Sequence, residues 1–187
     1  MNLLININLI LFIIIFFLFF KVIITSISNK RNIFGAPPIN KYLFILGKLC
    51  NFACWGIFLY EIINSLLTGY HYPIILPIIS SVSLLLSTFL IFLSFKDLSD
   101  FIKFGLPDKK TELIDIGIYK FSRNPMYVGF YLLSFSSIVF FPELINIIFA
   151  SAGTLIHHYI IYGEEKYLDY TFGTDWIEYK NKVRRYF

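Results

Sequence analysis

Charge is what this sequence has least of. Asp, Glu, Lys and Arg make up 15% of its 187 residues, where an ordinary soluble domain carries about a quarter. So few charges cannot cover a surface facing water, which excludes a soluble globular protein and fits a chain whose outer face is lipid. Cysteine is scarcer still. Cys50 and Cys54 stand four apart in an apolar run. On a helix they share a face but lie too far apart along the axis for an easy disulfide. No further metal ligands accompany them, so a metal centre is not expected, and both read as buried thiols. There is no internal repeat and no low-complexity linker. The formal charge of +4 comes without a continuous basic face, because the basic residues are scattered and mixed with acids. That sets nucleic-acid binding aside and leaves anchoring to a lipid bilayer.

What the sequence does have is apolar length. Hydrophobic residues make up 57%, with a mean hydropathy of +0.71. A spanning helix needs roughly 20 residues, and five runs of about that length follow one another: Leu3 to Ile27, Tyr42 to Leu67, Ile74 to Phe95, Pro125 to Phe141, and Leu144 to Tyr162. The first run lacks a basic leader and is too long for a signal peptide. The expected fold is all-α: a polytopic membrane protein with five transmembrane helices. The turn Pro142-Glu143 folds the last two into a hairpin. Glu164 to Phe187 then reads as an amphipathic cytosolic tail helix. In it Asp175 and Glu178 are spaced as a capping box, and Trp176, Tyr179, Val183 and Tyr186 recur at helical spacing. The chain divides functionally into 1–100, three N-terminal spans, and 101–187, the last two spans with the polar segments around them.

Orientation follows from lysine and arginine in the short loops. Lys30, Arg31 and Lys41 follow the first run. Lys96, Lys103, Lys109, Lys110, Lys120 and Arg123 follow the third, and Lys166, Lys180, Lys182, Arg184 and Arg185 lie in the tail. The turns after the second and fourth runs hold none. With five spans all three basic segments share one side, the cytosol, and the N-terminus lies outside.

Two polar clusters fall at the cytosolic ends of the last two runs. One is the stretch from Thr111 to Gly129, with Tyr119 and Arg123-Asn124-Pro125-Met126-Tyr127. The other is Glu164-Glu165 followed by Phe172-Gly173 and then Trp176-Ile177-Glu178-Tyr179-Lys180. Each has a plain structural reading. Asn124 before Pro125 suits an N-cap with proline at the first helical position. Arg123 suits a headgroup anchor, Tyr119 and Tyr127 an aromatic belt, and the acidic pair a solvated helix start. Against those readings, an acidic pair breaks the basic anchoring used elsewhere on that side. An arginine and two carboxylates converging on one hairpin mouth make a polar pocket in an apolar protein. Gly117 and Gly129 would let the backbone approach a ligand closely.

The ordered set Gly117-x-Tyr119, Arg123-Asn124-Pro125-x-Tyr127-x-Gly129, Glu164-Glu165 and Phe172-Gly173 resembles the isoprenylcysteine carboxyl methyltransferases and the related membrane phospholipid methyltransferases. The likeness covers roughly 111–184, and the first three spans match only in being spans. It implies an S-adenosylmethionine-dependent methyltransferase acting on a lipid-like or hydrophobic acceptor. The cofactor contacts it implies are Thr111, Glu112, Leu113, Ile114, Tyr119, Asn124, Pro125, Met126, Tyr127 and Glu164. Arg123 and Glu165 would be the catalytic pair. Arg123 would hold an acceptor's carboxylate or phosphate, and Glu165 would take the proton of an amine. The chain departs from the pattern twice. Asn124 stands where the family often has histidine, and Ile160 where the prenylcysteine enzymes carry an arginine, with His157 and His158 about a turn away. Two competing readings are an NADPH-dependent reductase of the steroid 5-alpha-reductase type, which shares a similar Arg-x-Pro-x-Tyr string, and a non-enzymatic membrane subunit.

Overall fold

A computed structural model describes residues 1–29, 35–69, 72–98, 102–107 and 112–187. Thr111 and the loop lysines and arginine at 30, 31, 109 and 110 lie outside the described residues. Among the described residues six α-helices follow in order: α1 (Asn2–Ser28), α2 (Lys41–Thr68), α3 (Ile75–Leu98), α4 (Pro125–Phe140), α5 (Leu144–Phe172) and α6 (Thr174–Lys182). A 3-10 turn, Gly117–Lys120, precedes α4. Four of them, α1, α2, α3 and α5, are long and apolar enough to cross a membrane, while α4 is a shorter apolar helix of 16 residues.

Lipid does not reward the burial of apolar side chains, so helices in a bilayer need close packing and polar contacts to hold together. The outward faces stay greasy, as Leu3, Phe17 and Leu85 show. The inward faces carry serine and asparagine. The most extensive contact is α3 against α4, followed by α2 against α5 and α1 against α3. The sequence expected α4 and α5 to form a hairpin. They do touch, and Asn146 clasps their short link by donating to the carbonyls of Ser137 and Phe141. Each nevertheless packs more extensively on an earlier helix.

Along the α3–α4 seam the Ser83 and Ser87 hydroxyls donate to the carbonyls of Leu132 and Gly129 at 2.9 and 2.7 Å. Ser80 and Ser136 join hydroxyl to hydroxyl at 2.7 Å, and Asn8 of α1, fully buried, accepts from Ser80 and donates to Ser81. Gly129 makes this approach possible: a Cβ there would stand 2.7 Å from the Ile91 side chain. Gly117, at φ +56°, would drive a Cβ into the Asp97 carboxylate, which accepts the Ile118 amide at 2.7 Å. Both glycines therefore serve helix packing, not the approach to a ligand expected from the sequence. Cys50 and Cys54 are free and buried, as their setting predicts.

The C-terminal region differs most from expectation. Helix α5 does not stop near Tyr162 but runs on to Phe172, so the acidic pair sits inside a helix and is not a helix start. The tail helix α6 spans only nine residues. It buries Trp176 and Tyr179 against the protein. Its N-cap is Gly173, without a side-chain cap bond, so Asp175 lies in the first turn and no capping box forms. From Val183, with φ −120° and ψ 133°, the chain is extended. Its carbonyls become free to bond elsewhere.

Candidate functional site

A cleft opens where the 102–107 segment, the start of α4, the far end of α5 and helix α6 meet. It encloses ≈ 980 Å³ of empty space, its open mouth to solvent included. Of the residues singled out from sequence, Glu112, Leu113, Ile114, Tyr119, Arg123, Asn124, Met126, Tyr127, Glu164 and Glu165 all line it. Pro125 sits behind the wall as the first residue of α4, and Thr111 lies outside the described residues.

The rear wall is a charged knot. Glu165, 8% exposed, accepts from Arg123 Nε and Nη2 at 3.2 and 3.1 Å. It also accepts from Arg185 Nη2 at 2.6 Å and Nε at 3.1 Å, and from Asn124 Nδ2 at 3.5 Å. Arg123 Nη1 donates to the carbonyls of Lys180 and Val183, each at 2.9 Å. The Arg123 amide donates to the Arg184 carbonyl, and the Ser122 hydroxyl to that of Arg185. The extended residues after α6 thus strap the tail across the start of α4. The Asn124 side chain makes no cap bond, because it is turned toward Glu165 and the Arg185 carbonyl. Arg123 also lies over the Trp176 ring, 5.6 Å from its centroid. It is therefore neither a headgroup anchor nor a free cation aimed at a ligand, since most of its donors are already engaged inside the protein.

Glu164 is placed differently. Its Oε1 accepts the Tyr127 hydroxyl at 2.8 Å. Among the described residues no donor reaches its other oxygen, so one acceptor remains for a ligand in the cleft. Tyr119 and Tyr127 offer buried aromatic walls. Burial pushes the Tyr119 phenol far above its usual range, and it does the same to Tyr179. Both stay protonated, and the Tyr179 hydroxyl donates to the Tyr119 carbonyl at 2.7 Å, fixing the 3-10 turn to α6. Hydrogen bonds to Glu165 hold the Arg185 guanidinium above its ordinary value, so it is a fixed cation.

Sequence reasoning gave no site role to Trp176 or Arg185. Trp176, 1% exposed, lines the cleft, and among the described residues its indole Nε1 has no hydrogen-bond partner. It stood in the second polar cluster and at helical spacing with Tyr179, without a role of its own. Arg185, the second guanidinium on Glu165, had been counted only for topology. The histidines stand apart from the cleft lining. His157 donates from Nδ1 to the Gly153 carbonyl at 2.8 Å, and His158 pairs with the Tyr186 hydroxyl.

A half-bonded carboxylate, an unpartnered indole N–H and two aromatic walls around one cleft suit a ligand with hydroxyl or ammonium donors, an acceptor atom and a flat ring. S-adenosylmethionine has that donor set and ring. No curated protein and no solved structure matches the chain. The family model described as phospholipid methyltransferase matches residues 76–175. It reaches further back than the motif-bearing stretch, taking in most of α3 as well as all of α4 and α5. With over half of the chain matched around this cleft, the protein belongs to the phospholipid methyltransferase family, a membrane methyltransferase by descent and by build.

Proposed function

We propose that the protein transfers a methyl group from S-adenosylmethionine, held in the cleft, to an amphiphilic acceptor that arrives from the bilayer. The observation that carries this reading is the convergence of the family's motif residues, from α4 and from α5, on one cleft beside the spare oxygen of Glu164. When bound, the cofactor supplies an electrophilic methyl on a sulfonium. Glu164 would accept from its ribose hydroxyls or ammonium, Tyr119 and Tyr127 would face its ring or cation, and Glu112, Leu113 and Ile114 would close the mouth. Asn124, Pro125 and Met126 shape the floor at the start of α4. Methyl transfer asks chiefly for alignment of acceptor and methyl, and a cleft strapped shut at its rear provides it.

Arg123 and Glu165 enter this reading as positioning residues. The lone pairs of Glu165 are taken by two guanidinium groups and Asn124. Arg123 spends its planar fork on Glu165 and the strap. In this reading α4 crosses the bilayer as a fifth span, the N-terminus lies outside, and the cleft opens to the cytosol, as the loop lysines and arginines suggest. Residues 101–187 then form the cofactor-binding part and 1–100 the membrane support. The match to a phospholipid methyltransferase model favours a lipid acceptor and a methyltransferase over a reductase. Calorimetric titration of the purified protein with S-adenosylhomocysteine and with NADPH tests the proposal. Binding of the first and not the second is expected, and the reverse would overturn it.

A further inference from the structure

Lys48 sits about two turns inside α2, among Leu46, Leu49 and Phe52, which face outward. An ionisable side chain at such a place is costly unless it has a task. A lysine that merely anchors a helix extends its ammonium to the headgroups. This one is half-buried and ends on the Phe104 carbonyl, 3.0 Å from Nζ. The Phe44 and Phe104 ring centroids lie 4.4 and 5.7 Å away. Among the described residues only one of its three N–H donors is thereby used. Phe104 lies between Lys103 and Gly105, both on the cleft wall. Lys48 also lies within electrostatic reach of Glu164, which lines the cleft. The ammonium therefore stands beside the cleft at Phe104, without lining it.

Its position is held from below. Gly47 brings α2 so near α5 that a Cβ there would stand 2.5 Å from the Ile156 side chain and 3.6 Å from the His157 ring.

An amphiphile that slides in from lipid keeps its chain in the bilayer and brings its polar end to the cofactor. On the α2 side, the half-used ammonium of Lys48 stands at that boundary. We propose that Lys48 is the anion-binding residue of an acceptor subsite, receiving the phosphate or carboxylate of an amphiphile whose other polar group is presented to the cleft. This rests on the methyltransferase reading and adds to it the residue that holds the acceptor's anion.

The test is binding, without cofactor, of dodecyl phosphate and of dodecanoate to the full chain in a neutral maltoside detergent, titrated against protein-free micelles. At least one alkyl anion should bind the wild type, while dodecyltrimethylammonium should not. Preference for dodecyl phosphate identifies a phosphoester acceptor, and preference for dodecanoate a carboxylate. Loss of a charge-assisted hydrogen bond should make Lys48→Met bind at least about tenfold more weakly, with Lys48→Arg within about threefold of wild type. Should Lys48→Met not fold, Lys48→Gln keeps a donor for Phe104 but no charge, and the same weakening is expected of it. Unchanged anion binding in either uncharged variant would reduce Lys48 to a tether for the 102–107 segment. Failure of S-adenosylhomocysteine to bind the wild type would sink the methyltransferase reading itself. Cofactor binding together with anion binding indifferent to residue 48 would sink the subsite alone.

Discussion

The α3–α4 seam and the rear wall of the cleft are both polar, and they are built on different chemistry. The seam uses small neutral groups, with Ser80, Ser83, Ser87 and Ser136 donating across the helices at 2.7–3.1 Å. The wall uses full charges, with Arg123 and Arg185 sharing Glu165. A serine that loses its partner can bond back to its own helix, as Thr88 does with Leu84 and Ser94 with Leu90. Glu165 has no such refuge. The seam can thus be trimmed group by group, whereas the wall stands or falls as a unit.

The sharpest way to break the contrast is Glu165→Ala. It leaves two guanidinium groups facing each other, and losing one partner of a buried pair costs about 3–5 kcal/mol, near the low end here because Arg185 is partly exposed. Thermal unfolding in detergent should show that loss, and cofactor binding should vanish with it. A variant with wild-type stability would mean the knot is decorative. Glu164→Ala, one residue away, should behave oppositely. Stability should hold, while affinity for S-adenosylhomocysteine drops about ten- to a hundredfold, the effect of about 1.5–3 kcal/mol for a charge-assisted bond. Equal affinity in calorimetry would return the residue to a mere partner of Tyr127. Arg123→Lys keeps the charge but not the planar fork. About 1–2 kcal/mol of stability should go, since lysine cannot serve Glu165, Lys180 and Val183 together. An unchanged melting profile would make Arg123 an ordinary anchor. Ser136→Ala in the seam should cost least, about 0.6 kcal/mol, with cofactor affinity untouched. A larger loss would show the seam to be as cooperative as the wall.

The membrane character and the meeting of α4 and α5 residues at one cleft were legible because both rest on local signals. Apolar run length marks a helix, and short ordered motifs mark the polar ends. What was not legible depends on partners distant in sequence. Tyr162 looked like the end of α5 because polar residues begin there, yet the helix continues because its next two turns bury Glu165 against Arg123 and Arg185. Asn124 looked like a cap because it precedes proline, but Glu165 competes for its amide. Gly117 and Gly129 looked like ligand contacts because glycine permits close approach, and sequence alone does not say whether a ligand or α3 is what approaches. The strap after α6 carries no local signal, since its bonds are made by backbone carbonyls.

One consequence concerns the unbroken length of α5. Its apolar stretch from Leu144 to Tyr162 would occupy about 28 Å and the whole helix about 43 Å, at 1.5 Å per residue. The helix is one stiff rod with its lower part in lipid and its upper part carrying the acidic pair. A thinner bilayer is met by tilting such a rod, and a tilt at the bottom is a sideways shift at the top, at Glu164 and Glu165. The membrane then acts on the cleft as a load acts on a lever. Reconstituted in lipids of decreasing chain length, the protein should lose cofactor affinity before it loses helix content, turning bilayer thickness into a setting of the enzyme.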